Sequence, residues 1–125
     1  MTALDRQIII HREHYSNLPQ RFIDKIEADI SYILKADIQD LKGVYLFGSC
    51  ARGDIRNGSD IDLLILTGQK LADRMLAADI RWTLDEEIGG ISTDVVFMNE
   101  SSLSENTAFK RVVRRDQKII VEVVS

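Results

Sequence analysis

The sequence predicts a single α/β (α+β) domain, a mixed sheet of about four short strands covered by helices. Three observations lead there. Amphipathic helical stretches alternate with short, wholly apolar runs of strand length along the chain. No repeat, low-complexity tract or linker divides it. Its length, 125 residues, suits one domain with one core.

Residues 1–18 are read as an N-terminal extension, with a short helix over 3–16, although Ile8-Ile9-Ile10 leaves a strand open. A long helix is expected from Pro19 to Leu41. Phe22, Ile23, Ile26, Ile30, Ile33, Leu34, Ile38 and Leu41 recur there at three- and four-residue steps and form one apolar face. Pro19 suits its first turn and Gly43 its stop. Val44 to Phe47 and Ile61 to Leu66 read as buried strands. A second helix is expected over Gln69 to Ile88, with Leu71, Met75, Ala78 and Trp82 on one row and Ala72, Leu76, Ile80, Leu84 and Ile88 on the next. Gly89-Gly90 ends it. Thr93 to Met98 should be a third strand, Leu103 to Asp116 a further helix, and Lys118 to Val124 the last strand.

Composition narrows the function classes. Apolar residues make up 45% and charged residues 29%, an ordinary globular balance. A net charge of −4 argues against a surface built for stable nucleic-acid binding. One cysteine, Cys50, rules out an internal disulfide, and no apolar run approaches the ~20 residues of a membrane span. The N-terminus, with Asp5 early and no small-residue cleavage pattern, does not read as a signal peptide. A cytoplasmic protein is expected.

The stretch YLFGSCARGDIRNGSDIDLLIL, Tyr45 to Leu66, carries the chemistry. Strand alternation puts Asp60 and Asp62 on one side, where two like charges repel. A divalent cation between them is the cheapest remedy, and Mg²⁺ is normally held by one or two carboxylates plus substrate phosphates. Gly48 lets backbone approach a phosphate, and Ser49 follows at a strand end where N–H groups can form an anion-binding nest. Metal-assisted phosphoryl chemistry calls for a further carboxylate near the attacking hydroxyl. Asp94, at the start of the third strand, is the candidate to face Asp62 across the sheet.

The pattern Gly48-Ser49, ten residues, Asp60-x-Asp62, with Arg52-Gly53 inside it and Asp94 later, resembles the minimal nucleotidyltransferases of the DNA polymerase β superfamily. The resemblance covers roughly residues 20–124, with its core at 44–66. It implies that Gly48 and Ser49 hold the triphosphate of ATP. It further implies that Asp60 and Asp62 bind two Mg²⁺ ions, for which Mn²⁺ can substitute. Asp94 would complete the metal site and help deprotonate the acceptor. The implied reaction is transfer of AMP with release of pyrophosphate. The implied partner is an all-helical HEPN toxin, whose tyrosine hydroxyl is modified by the antitoxin of the pair.

Arg52 reads either as a phosphate contact or as a partner of Asp54 or Asp60, and Ser59 either as a turn residue or as a nucleotide contact. His11 and His14 share a face but lack further metal ligands. Cys50 reads as an inert small residue. The basic segment Lys110, Arg111, Arg114, Arg115 and Lys118 is either a solvated helix end or a surface for phosphates or an acidic partner.

Two other functions stay open: a non-catalytic nucleotide-binding subunit that neutralises a helical partner by contact, and a small-molecule adenylyltransferase. The latter kind carries an added helical domain to hold the acceptor, for which 125 residues leave no room. A partner protein or a second copy of the chain must then supply acceptor binding.

Overall fold

The computed structural model describes residues 7–56, 58–100 and 117–124. Phe22, Ile26, Ile30 and Ile33, spaced for one helical face, are all buried and define helix α1, Gln20–Lys35, which starts directly after Pro19. The helix stops well short of Leu41. Asp37 and Asp40 adopt positive φ, 54° and 58°, and swing the chain out of the helix. Ile38 and Leu41 still reach the core, from the loop and from the first residue of strand β2, Leu41–Phe47.

Gly43 is therefore not the helix stop expected of it. It lies inside β2 beside a register shift, where a Cβ would come within 2.9 Å of the Val121 carbonyl on the neighbouring strand.

A one-turn-and-a-half helix α2, Gly48–Arg52, leads toward strand β3, Ile61–Thr67. Helix α3, Arg74–Asp85, crosses over to strand β4, Thr93–Asn99, which pairs parallel with β3. Strand β5 is Lys118–Val124, as expected. The N-terminal helix expected over 3–16 is, among the described residues, strand β1, Gln7–Ile10, followed by a 3-10 turn at Arg12–His14. The β-branched Ile8-Ile9-Ile10 run prevails there because β1 finds a free edge on β5. The two histidines dock this turn: His14 Nδ1 donates to the Ile119 carbonyl at 2.5 Å, and His11 Nε2 lies 2.9 Å from Glu122.

The sheet thus has five described strands in the order β1-β5-β2-β3-β4, antiparallel except for β3 with β4. One face packs Val44, Leu46, Ile61, Leu63 and Ile65 against α1 and against Ile80 and Leu84 of α3. The other face carries a smaller cluster of Leu64, Leu66 and Met98, with Tyr45, Phe47 and Val96 against it.

Helix α3 is shorter than expected because Asp73 caps it, accepting from the Leu76 N–H at 3.0 Å. It buries only one of the two expected rows. Ile80 and Leu84 are inside, whereas Met75 is 75% and Trp82 82% exposed. Gly89 and Gly90, at φ 62° and 79°, shape the turn between Ile88 and Ile91 rather than the helix end. The helix expected over Leu103 to Asp116, and with it Lys110, Arg111, Arg114 and Arg115, lies outside the described residues. Among those described, no helix is long and apolar enough to cross a membrane.

Candidate active site

The site forms where β2 ends and β3 and β4 begin. Gly48, at φ +72°, turns the chain sharply from β2 into α2 and lies against the Asp62 carboxylate. Gly53, at φ 76°, ends α2, and the Asp54 N–H returns to the Ser49 carbonyl at 2.9 Å. This loop lifts Gly48 and Ser49 to the same end of the sheet as the start of β3.

On β3, alternation sends Ile61 and Leu63 into the helical core and Asp62 to the opposite face, in line with Leu64 and Leu66. Asp62 and Asp94 are register partners on parallel neighbouring strands, so both carboxylates project from one face about 4.8 Å apart in strand spacing. The expected facing of Asp94 and Asp62 is therefore present. Asp60 stands just ahead of β3, exposed, and its Oδ1 accepts from Ser92 Oγ at 3.1 Å.

Partial burial is the first cause that pushes the Asp62 carboxyl up to about 6; the charges of Asp94 and then Asp60 add to it, and Arg52 opposes them. Such a cluster of like charges favours a cation. No three His, Cys, Asp or Glu side chains among the described residues are already placed as a metal cage. The all-oxygen donor set fits the hard ion Mg²⁺.

Ser59 closes a turn, accepting from the Arg56 N–H at 2.8 Å. Asp54 is engaged by Arg56 at 3.7 Å, while Arg52 bears electrostatically on Asp62. Cys50 is buried beneath the loop, its thiol pushed up to about 11, first by burial and then by the Asp62 charge, which keeps it unreactive.

Two features escaped the sequence reading. One is Ser92, the hydroxyl that holds Asp60. The other is a buried set behind β4, Lys25, Asp29 and Thr93. A signal for the second was present: Lys25 and Asp29 sit four apart within the apolar row of α1, where charge has no business unless paired.

A family model described as Polymerase beta, Nucleotidyltransferase matches residues 28–123. A comparison with curated proteins finds no match. Among solved structures, a candidate nucleotidyltransferase from Sulfolobus solfataricus shares the fold, at 23% identity and a TM-score of 0.56 over 80% of this chain and 79% of that one. A chain of a toxin–antitoxin complex with AMP-PNP is 27% identical, with a TM-score of 0.53 over 75% of this chain and 71% of that one. A mutant of the MntA–HpeT toxin–antitoxin complex is likewise 27% identical, with a TM-score of 0.50 over 74% and 69% of the two chains. With the family match spanning most of its length and the carboxylates meeting at the strand ends, this chain belongs to the polymerase β nucleotidyltransferase family.

Proposed function

We propose that the protein transfers AMP from ATP to a hydroxyl of a partner protein, a tyrosine of an all-helical HEPN-type toxin, and so acts as its antitoxin. The observation that carries the reading is the register pairing of Asp62 with Asp94 on the face that Gly48 adjoins. The similar toxin–antitoxin complex with AMP-PNP supports an adenine nucleotide and a toxin as partner.

In this reading the turn at Gly48 and Ser49 receives the triphosphate through backbone N–H groups. Asp60, Asp62 and Asp94 hold Mg²⁺, which supplies charge neutralisation at the phosphates when bound. Ser92 Oγ donates to Oδ1 of Asp60, which leaves the second carboxylate oxygen to the metal. Asp94, exposed at the start of β4, accepts the proton of the incoming tyrosine hydroxyl. The tyrosine oxygen bonds to the α-phosphorus, the bond to the β-phosphate oxygen breaks, and pyrophosphate leaves. Arg52 stands near enough to Asp62 to temper the charge of the cluster.

The test is incubation with ATP, Mg²⁺ and the helical partner, followed by mass-spectrometric mapping of that partner. An adenylyl group on a tyrosine is expected. A partner that stays unmodified yet is neutralised by binding would replace this reading with the non-catalytic one.

A further inference from the structure

Behind β4, on the face away from the carboxylates, lies a buried polar network that the proposed reaction does not touch. Lys25 is fully buried and Asp29 is 3% exposed. Lys25 Nζ donates to Asp29 Oδ1 at 2.6 Å and to the Leu84 carbonyl, at the end of α3, at 2.8 Å. Thr93 Oγ1 donates to the other oxygen, Asp29 Oδ2, at 2.5 Å. Every buried side-chain nitrogen and oxygen among the described residues has a hydrogen-bond partner.

A buried ion pair is weak evidence for stability, because well-packed apolar side chains of the same volume usually do as well. Its neighbours on α1, Phe22, Ile26 and Ile30, are apolar, and an apolar pair would continue their row. What distinguishes the network is where it ends. Thr93 is the first residue of β4, and the next residue is Asp94.

Strand alternation makes the two orientations one fact. With Thr93 drawn inward to Asp29, Asp94 projects to the opposite face, where Asp62 is its register partner. A slip of one residue would exchange them and carry the Asp94 carboxylate into the core. Among the described residues β4 pairs only with β3, so it lacks a second strand to hold its register. Ser92, immediately before, is tied in the same way: its carbonyl accepts from the Ile61 N–H at 3.0 Å and its hydroxyl donates to Asp60.

We infer that Thr93, held by the buried Asp29–Lys25 pair, is a positioning residue that fixes Asp94 opposite Asp62. The inference rests on the role given to Asp94 above. It makes α1, remote from the carboxylates, a determinant of their geometry.

Thr93→Val keeps shape and strand preference but removes the donor, and Thr93→Ser keeps the donor. The measurements are denaturant unfolding, Mn²⁺ affinity by electron paramagnetic resonance with AMP-PNP present, and kcat and KM(ATP) for AMP transfer to the helical partner. Thr93→Val should remain folded with KM(ATP) within about twofold, while kcat and Mn²⁺ affinity fall at least about tenfold, the size of effect typical of groups that orient ligands. Thr93→Ser should stay within about threefold of wild type on all of them.

Thr93→Val leaves Asp29 short of one donor, so the triple variant Lys25→Met/Asp29→Leu/Thr93→Val, apolar throughout, guards against unfolding as the cause. It should fold and show the same fall in kcat. Wild-type kcat and Mn²⁺ affinity in either folded variant would overturn the inference. Wild-type turnover in Asp94→Asn would instead overturn the role of Asp94 itself. Full dependence on Asp94 with indifference to Thr93 sinks only the positioning.

Discussion

A Cβ placed on Gly48 would stand 2.5 Å from Asp62 Oδ2. The turn that leaves β2 and the carboxylate on β3 are thus in direct contact, and any side chain at Gly48 must displace one of them. Gly48→Ala also meets a φ of +72°, which disfavours an L-residue by about 1–2 kcal/mol. Gly53 shares the constraint, at φ +76°, but a Cβ there meets nothing within 4 Å. Both variants should lose stability in urea titrations, Gly48→Ala the more because its Cβ also displaces the turn or Asp62. Only Gly48→Ala should lose AMP transfer, by at least about tenfold as for other disturbed ligand orientations. Equal activity in the two would separate the glycine from the site.

Asp62 makes the fold pH-sensitive. Its folded pKa, about 6, lies above its ordinary 3.8, so its favourable contribution is complete below 3.8 and lost as pH rises through about 6. At pH 7 the ionised carboxylate is a net burden of about 1 kcal/mol once partial exposure is discounted. Asp62→Asn should accordingly raise the melting temperature at pH 7 by several degrees in the absence of nucleotide and metal, and by less at pH 5. It should abolish transfer at the same time. A destabilised Asp62→Asn at pH 7 would mean that the carboxylate is not a burden on the fold.

Asp94, exposed, faces Asp62 from β4, an edge strand among the described residues. Asp94→Asn should reduce the transfer rate far more than it weakens ATP binding, the signature of an interaction made in the transition state. Equal losses would make it a nucleotide ligand only. Rapid-mix transfer assays beside calorimetric ATP binding separate the outcomes.

The strands around the site were legible because they are short apolar runs closed by turn residues, and Asp62 and Asp94 stand out in such runs as charges. Strand β5 matched in both boundaries. The helix ends did not, and the reasons are local. Helix α1 stops at two aspartates in left-handed conformation, where an uninterrupted helical rhythm from Ile33 to Ile38 gave no warning. Gly43 reads as punctuation in sequence but is set by the approach of the Val121 carbonyl, a tertiary contact. Trp82 and Met75 continue an apolar row that only the orientation of α3 on the sheet leaves outside.

That exposure has a consequence for stability. Trp82→Ala should change the unfolding free energy by no more than about 0.5 kcal/mol, as for ordinary surface substitutions. Lys25→Ala should remove about 3–5 kcal/mol by stranding the buried Asp29 charge. Circular dichroism suits both measurements, since Trp82 is the single tryptophan. A large loss for Trp82→Ala would mean that the α3 face is covered.

In the proposed reaction the carboxylates direct AMP, rather than phosphate, onto a protein hydroxyl. Parallel reactions with α-labelled and γ-labelled ATP, Mg²⁺ and the helical partner test it most directly. Only the α-label should stay on the partner, with one pyrophosphate released per group transferred. The Asp60→Asn/Asp62→Asn double variant, still folded, should leave the partner unlabelled. Label retained from the γ-position, or undiminished α-labelling by that variant, would contradict it.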